Sequence, residues 1–303
     1  MINGIINVNK ESGYTSFDVV AKLRGILKQR KMGHTGTLDP DATGVLPVCL
    51  GSATKLCESM TDKEKEYVGV MRLGVTTDTQ DMTGQITSEK EVNCTEEEIR
   101  EAVNSFIGEY DQLPPMYSAV WVNGQRLYDL ARKGKVVDRP TRRVCINNIA
   151  IEKLNLPLIT LRITCSKGTY IRTLMNDIGE KLGCGASMDS LVRTKTGVFK
   201  IENAYTLAEI EKYRDNNELF KIVTPVDEFF AEYEKAFVKD DALKLLINGN
   251  VLDNSNFCET DTKKLTGKIR VYDSKGEFYG VYEKKGEVYK PFKMFLPEEL
   301  KQH

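Results

Sequence analysis

Several residue types that commonly build functional sites are scarce in this chain of 303 residues. It contains only two histidines, His34 and His303, and none of its seven cysteines forms a Cys-x-x-Cys pair. These features argue against a zinc site and against redox chemistry at a cysteine pair, so no metal and no cofactor are expected. Scattered cysteines, odd in number and without an export signal, are typical of reduced thiols in the cytoplasm.

Long apolar runs and a strong net charge are also missing. No window approaches eighteen consecutive apolar residues, and the N-terminus lacks the basic and apolar regions of a signal peptide, so a cytoplasmic protein is expected. With 43 basic and 44 acidic residues, the net charge is −1. A nucleic-acid partner would therefore have to meet a local basic surface.

Apolar periodicity and capping signals predict an α+β protein: a mixed domain over residues 1–230 and a small, β-rich, barrel-like domain over 231–303. Helices are predicted from Thr15 or Ser16 with Phe17 on the apolar face, after the capping boxes Thr95–Glu98 and Thr206–Glu209, and over 127–131, 171–182 and 242–247. Strands are predicted over 4–8, 66–74, 116–122, 158–166, 268–272, 278–282 and 288–292, with a turn at Asn123-Gly124.

The segment GHTGTLDPDATGVLP, residues 33–47, has no helical or strand period. Asp39 precedes a proline, which favours an extended backbone, and the glycines at 33, 36 and 44 allow close approach of another backbone. A carboxylate held in this way can be a helix N-cap, a metal ligand, a general base or a nucleophile. Many Asp-Pro pairs only cap a turn.

Two other interpretations of this segment are weaker. A phosphate-binding P-loop requires Gly-Lys-Ser or Gly-Lys-Thr after its glycines, and no such triplet follows. Asp39 and Asp41 would point the same way in an extended chain, about 7 Å apart, as in the carboxylate pair of an inverting glycosidase. Because such pairs usually come from different elements, Asp41 is expected to be solvated.

Arg172 is predicted in the first turn of the helix over 171–182, where the helix dipole disfavours a cation. This position favours a nearby anion, either Asp39 or a ligand phosphate, although many such arginines simply reach solvent. Residues 125–143 hold seven basic and two acidic side chains. They form either a solvated face or a basic finger that binds a phosphate backbone.

Five segments, in the right order, resemble the tRNA pseudouridine synthase B (TruB) family, and the resemblance extends over nearly all of residues 4–230. They are NVNKESGYTS, GHTGTLDPDATGVLPVCLGSATK, EYVGVMRLGVTTDTQDMTG, PPMYSAVWVNGQRLYDLARKG and SKGTYIRTLMNDIGEKLGCGA. The C-terminal β domain resembles a PUA domain. Glu11 stands where the family usually has proline.

The resemblance implies a pseudouridine synthase fold, with a mixed, mainly antiparallel sheet, flanking helices and a central cleft. It implies isomerisation of the T-loop uridine at position 55 of tRNA. By motif, Asp39 is the catalytic carboxylate, and Arg172 is its salt-bridge partner, which favours the ionised carboxylate. The other implied roles are stacking on the base for Tyr67, pocket lining for Tyr170 and Leu191, and base flipping for His34. RNA contacts are predicted for Lys10, Lys55, Arg126, Arg132, Arg142 and Arg143.

The chemistry of pseudouridylation fits this residue set. It breaks a C–N glycosidic bond, turns the freed base and rejoins it through carbon, so no oxidant is needed. The uridine must leave its stack, which requires aromatic side chains and small-residue loops. A monomer is expected. The alternatives are a non-catalytic tRNA-binding or tRNA-folding protein, and a carboxylate-pair hydrolase in which Asp41 matters as much as Asp39.

Overall fold

A computed structural model describes residues 1–122, 124–258 and 265–296. Over these ranges the chain forms nineteen strands: β1 (Gly4–Lys10), β2 (Met32–His34), β3 (Thr43–Leu50), β4 (Lys65–Leu73), β5 (Val75–Thr77), β6 (Ile86–Glu89), β7 (Gly108–Gln112), β8 (Trp121–Val122), β9 (Gln125–Arg126), β10 (Arg142–Asn155), β11 (Leu158–Cys165), β12 (Ala186–Thr196), β13 (Phe199–Lys200), β14 (Val223–Thr224), β15 (Glu234–Phe237), β16 (Leu252–Asp253), β17 (Lys268–Tyr272), β18 (Phe278–Lys285) and β19 (Val288–Met294).

The same ranges contain seven α-helices. They are α1 (Ser16–Leu27), α2 (Cys57–Thr61), α3 (Glu96–Asn104), α4 (Leu127–Ala131), α5 (Ile171–Lys181), α6 (Leu207–Asp215) and α7 (Leu243–Ile247). The predicted capping boxes are present at the start of α3 and α6, and Thr15 forms one with Asp18 at the start of α1. In each box two backbone N–H groups of the first turn obtain side-chain acceptors, which stabilises the helix start.

A mixed sheet of ten strands dominates the chain. Its main path is β14-β1-β3-β12-β4-β11-β10-β7, with β2 paired to β3 and β13 paired to β12. Neighbouring strands run antiparallel except β3 and β12, which are parallel. The α+β class with a mainly antiparallel sheet is therefore confirmed.

Two hydrophobic clusters join the helices to this sheet. Helix α5 buries Ile171, Leu174, Met175 and Ile178 in the cluster that contains Tyr67 of β4. Helices α1 and α6 pack in a second cluster with residues of β1 and β3. The first turn of α5 is thereby fixed against the strands at the middle of the sheet.

The C-terminal part forms a second sheet, in the order β15-β17-β18-β19-β16. It has its own apolar cluster, and a further cluster packs Ile5 and Val45 of the large sheet with Phe230, Val281 and Phe295. The two sheets therefore share a core. No helix in the described ranges is long and apolar enough to cross a membrane.

Some predicted elements differ from the observed ones. Phe17 is 65% exposed, and Val19 occupies the buried face of α1 instead. The strand predicted over 116–122 is reduced to β8, which pairs with β9 around the predicted turn; Asn123 itself lies outside the described residues. Strand β3 was missed because seven of its eight residues are buried, so it shows no alternation of polar and apolar side chains.

Candidate active site

The backbone on both sides of Asp39 is held by hydrogen bonds. Asp39 lies in the loop between β2 and β3, where the N–H of Leu38 donates to Ser16 Oγ at 2.9 Å. On the other side, the carbonyl of Pro40 accepts from the N–H of Gly13 at 3.1 Å. Because both neighbours are fastened to other parts of the chain, the carboxylate has little freedom to move with the loop.

A buried ammonium group reinforces this loop. Lys10 is fully buried, and its Nζ donates to the carbonyl oxygens of Glu11, Pro40 and Ala42 at 3.0, 2.7 and 2.6 Å. Burial lowers the pKa of Lys10 to about 8, and the nearby carboxylates oppose this shift. The predicted RNA contact of Lys10 is incompatible with this placement. Glu11 contributes a carbonyl oxygen, which the usual proline also has.

Arg172 lies in the first turn of α5 and is buried between two carboxylates. Its Nη2 donates to Asp39 Oδ1 at 3.1 Å, and its Nε lies 3.0 Å from Asp39 Oδ2. Its Nη1 lies 3.3 Å from Asp81 Oδ2. The guanidinium also donates to the backbone oxygens of Thr79 and Tyr117, both at 2.9 Å. The predicted nearby anion is therefore present: Asp39 accepts one hydrogen bond from Arg172, and its second oxygen lies within ion-pair distance of Nε.

The Asp39 carboxylate is held on one side and open on another. Of its side chain, 41% is exposed to solvent, although protein atoms surround the rest. Burial raises the pKa of the Asp39 carboxyl above its ordinary value; Arg172 opposes the rise and Asp81 adds to it. Arg172 thus acts in the expected direction, but it does not outweigh burial.

Asp81 is a site residue that the sequence did not reveal. Its Oδ1 accepts from Thr79 Oγ1 at 2.7 Å and from the N–H and hydroxyl of Thr83 at 3.1 and 2.5 Å. The same loop is tied to β12, because the N–H of Met82 donates to Met188 O at 2.9 Å. The run DTQDMTG belongs to a motif quoted above, but nothing in its spacing distinguishes Asp81 from Asp78.

Tyr67 and Leu191 are buried on the adjacent strands β4 and β12. Burial raises the pKa of the Tyr67 hydroxyl, and the guanidinium of Arg193 opposes the rise. Arg193 is itself fully buried, and it donates to Val45 O at 2.7 Å and to Gly36 O at 3.2 Å. A buried arginine thereby connects Tyr67 to the Asp39 loop, a link that the sequence gave no reason to expect.

Gln112 holds Tyr170 at the start of α5. The side-chain Oε1 of Gln112 accepts from the N–H of Tyr170 at 2.8 Å, and its Nε2 donates to Tyr170 O at 3.0 Å. Gln112 is buried at the end of β7, and Tyr170 is half-buried. The side-chain amide of Gln112 thus pairs with both backbone groups of Tyr170, as a neighbouring strand would. Tyr170 lies two positions before Arg172.

His34 and Lys55 lie on other elements than the Asp39 loop and α5, and each is tied to a backbone group. His34 ends β2, and its Nδ1 accepts from the N–H of Gly36 at 3.4 Å. Burial and the charge of Arg193 lower the pKa of His34 below its usual value. Lys55 is exposed, and its Nζ donates to Met294 O at 2.7 Å, which links the two sheets.

We call residues 125–143 the basic segment. Within it, the guanidinium of Arg126 lies 5.2 Å from the ring centre of Trp121 and 5.7 Å from that of Tyr128. Arg132 lies 5.6 Å from the ring centre of Tyr128. Trp121 is 62% exposed. These cations and rings form an open surface on which bases and phosphates could both be bound.

The two arginines at the end of the basic segment differ from each other. Arg142 is exposed, whereas Arg143 pairs with Glu109 at 3.1 Å and with Asp111 at 3.0 Å. Neighbouring carboxylates already neutralise Arg143, so it contributes less to a phosphate-binding surface. Over the described ranges, no group of three or more His, Cys, Asp or Glu side chains is arranged to hold a metal ion.

Two family models match the chain. Residues 24–171 match the TruB family pseudouridylate synthase N-terminal domain, and residues 172–231 match the tRNA pseudouridylate synthase B C-terminal domain. The chain belongs to the TruB family. This assignment covers the loop of Asp39, the first turn of α5 and the basic segment, so the resemblance found in the five sequence motifs is confirmed.

Curated TruB-family relatives match along their whole length. The tRNA pseudouridine synthase B of Lachnoclostridium phytofermentans is 52% identical, covering 97% of this chain and 100% of the relative. That of Clostridium kluyveri is 43% identical with the same coverage. Among solved structures, the chain resembles one from a Cbf5-Nop10-Gar1 complex, with a TM-score of 0.70 and 27% identity over 98% of this chain and 86% of that one. The pseudouridine synthase fold is therefore confirmed.

Proposed function

We propose that this chain isomerises the uridine at position 55 in the T-loop of tRNA to pseudouridine, with Asp39 as the catalytic carboxylate and no cofactor. The observation that supports this most strongly is the paired contact of Arg172 with both oxygens of Asp39, at 3.0 and 3.1 Å. It occurs in a TruB-family chain and in a loop fixed by buried groups. A carboxylate that only capped a turn would need no buried arginine.

Asp39 would act as an ionised oxygen at the reacting uridine. Two routes use such a group: attack on the sugar or the base to form a covalent intermediate, and abstraction of a proton. Both require a carboxylate that is oriented and open to the substrate. Arg172, which is itself held by Asp81, orients the carboxylate on the protein side, and the exposed part of Asp39 would face the substrate.

The surrounding side chains would receive the extruded base. Tyr67 would stack on it, while Leu191 and Tyr170 would line the pocket, and His34 would help in flipping the base and in contacting the RNA. Extrusion costs a few kcal/mol of stacking, which aromatic and apolar contacts in the pocket offset. Tyr67 and Leu191 pack in one apolar cluster with Leu38, the residue next to Asp39, and this supports the assignment.

The basic segment would hold the RNA from outside the pocket. Arg126, Arg132 and Arg142 are exposed and would contact phosphates, whereas Arg143 and Lys55 would first have to give up or share existing partners. The C-terminal sheet would act as a PUA-like RNA-binding domain. We also propose that the protein acts as a monomer, because one chain supplies every group assigned to the site. The proposed compartment is the cytoplasm.

The test is the conversion of uridine 55 in an unmodified tRNA transcript by wild type, Asp39→Asn and Asp41→Asn, without added metal. We expect one pseudouridine per tRNA with wild type. Asp39→Asn should lower the single-turnover rate by at least about 10³-fold, because it removes the ionised oxygen, while tRNA affinity stays within about threefold. Asp41→Asn is the matched control; Asp41 is exposed and should be dispensable.

Each alternative gives a different result. If wild type binds the transcript tightly but forms no pseudouridine at position 55, the protein is a tRNA-binding protein or acts on another RNA. If Asp41→Asn is as inactive as Asp39→Asn, the two carboxylates act as a pair, and the hydrolase interpretation returns.

A further inference from the structure

An open cavity of about 770 Å³ lies between the start of α3 and the end of α5. Two thiols line it: Cys94 Sγ and Cys184 Sγ are 3.8 Å apart. The eleven residues of α5 place this cavity about 16 Å along the helix from the turn that carries Arg172. It is therefore separate from the site of Asp39.

Both cysteines are placed so that the sulfur atoms can approach further. Cys94 is half-buried and directly precedes Thr95, which caps α3. Cys184 is buried, and it lies between Gly183 and Gly185, which have φ angles of +79° and +78°. A disulfide requires sulfur atoms about 2.05 Å apart, so rotation of the two side chains has to shorten the distance by less than 2 Å.

We propose that Cys94 and Cys184 form a dithiol site that closes to an intramolecular disulfide by exchange with small disulfide molecules. The absence of a Cys-x-x-Cys pair argued against such chemistry, but the fold brings together two cysteines that are 90 positions apart in the chain. All seven cysteines are free thiols. Cys49 and Cys57 also contact each other, but Cys94 and Cys184 are the pair that lines this open cavity.

The exchange takes place in two balanced steps. The thiolate of Cys94, the more accessible sulfur, attacks one sulfur of the small disulfide; a mixed disulfide forms, and the other half leaves as a thiol that takes up the Cys94 proton. The thiolate of Cys184 then attacks the Cys94 sulfur, and the second small thiol leaves with the Cys184 proton. One external disulfide is reduced to two thiols while the two cysteines are oxidised to one disulfide.

The charges around the cavity select among small disulfides. Glu91, Glu98 and Glu101 line it, against Lys181, whose ammonium donates to Ser105 Oγ at 2.5 Å, and Lys90 at the edge, whose ammonium donates to Gly183 O at 3.0 Å. This excess of negative charge repels an anionic reagent and attracts a cationic one. Cystamine, which is cationic, should therefore oxidise the pair at least about fivefold faster than oxidised glutathione, which is anionic, and the difference should shrink in high salt.

The experiment uses the full-length reduced protein with cystamine or oxidised glutathione at about pH 9.5, above the pKa of a free thiol, because burial and the contact with Cys184 raise the pKa of the Cys94 thiol. Digestion without reduction, followed by mass spectrometry, identifies the disulfide-linked peptides. Thiol titration measures how many free thiols are lost. We expect two thiols to be lost and a Cys94–Cys184 linkage, with a melting temperature about 5–10 °C higher, because the bond closes a long loop. Cys57→Ser should behave as wild type, and Cys94→Ser should form no linkage.

Three outcomes would overturn the proposal: a mixed disulfide that persists on Cys94, a linkage of Cys49 with Cys57 that forms first, or oxidation by glutathione as fast as by cystamine. The wild-type protein alone distinguishes these outcomes. The result therefore does not depend on whether either variant folds, and it is independent of the proposed function.

Discussion

The loop of Asp39 and the basic segment serve the same proposed reaction but are built in opposite ways. In the loop, buried side chains bond the backbone on both sides of one carboxylate, and Lys10 and Arg193 are fully buried beneath it. In the basic segment, Arg126 and Arg132 are exposed and lie over aromatic rings that are close to them in the chain.

This difference follows from what each region has to do. A reacting carboxylate must be held to within a fraction of an ångström, since a displacement of about 1 Å can lower a rate about 10²-fold. A surface that binds a phosphate backbone can adjust to its partner and gains little from rigidity. Substitutions in the loop should therefore affect rate and stability, and those in the segment should affect affinity.

Arg172→Lys should have the largest effect after removal of Asp39 itself. Lysine keeps the charge, but it cannot contact both oxygens of Asp39 together with Asp81. We expect the single-turnover rate of pseudouridine formation to fall by about 10²-fold, with tRNA affinity within about threefold of wild type.

The control for Arg172→Lys is Arg72→Lys. Arg72 is likewise paired with a carboxylate, donating two N–H groups to Asp189 Oδ1, but it is partly exposed. Its replacement should leave the rate within about twofold of wild type. A rate for Arg172→Lys close to wild type would show that charge alone is sufficient, and the loop would not need the rigidity that we assign to it.

Lys10→Met tests whether the loop is stiff because of its buried donors. Three carbonyl oxygens would lose their partner, which should lower the free energy of unfolding by about 2 kcal/mol. The rate should also fall, by about 30-fold, as the backbone around Pro40 loosens. Denaturant titration and single-turnover kinetics measure the two effects.

Lys22→Met is the matched control. Lys22 is exposed and donates to Tyr14 Oη at 2.7 Å, so its replacement should change stability by less than about 0.5 kcal/mol. If the Lys10→Met variant were less stable but kept the full rate, the hydrogen bonds from Lys10 to the loop would matter for folding and not for catalysis.

The sequence was sufficient for the elements with strong local signals. Capping boxes predicted the starts of α3 and α6, and helical spacing predicted α5 with Arg172 in its first turn. Strands β10 and β12 were missed. Strand β12 has β-bulges at two register shifts against β4, and these interrupt the regular alternation by which a strand is recognised.

The residues that hold Arg172, Tyr170 and the Asp39 loop in place could not be predicted, for a related reason. Asp81, Gln112 and Arg193 contact residues 58 to 157 positions away in the chain. Their roles depend on strand order and register, which no local pattern encodes. Asp39 and Arg172 were found because a proline, three glycines and a helix start mark them locally, and because family motifs include them.

Gln112→Ala should give an intermediate effect. It removes both hydrogen bonds to the backbone of Tyr170, which leads into α5. We expect the rate to fall about tenfold and the affinity for tRNA to change little, because the start of α5 would still be packed by its apolar residues. Gln85→Ala, at an exposed glutamine, should have no effect. An equal loss in both variants would remove Gln112 from the set of positioning residues.

Arg126→Ala and Arg132→Ala should give the smallest effects, and they test the other half of the comparison. Each removes one exposed cation from the aromatic surface, so each should weaken tRNA binding about two- to fivefold and lower the salt dependence by about one counterion. The rate at saturating enzyme should not change. Arg100→Ala removes an exposed arginine paired with Glu96 on α3 and should alter neither quantity. If instead the rate at saturating enzyme fell while the affinity for tRNA was kept, the basic segment would position the reacting base, as the Asp39 loop does. The distinction between a rigid site and an adaptable binding surface would then not hold.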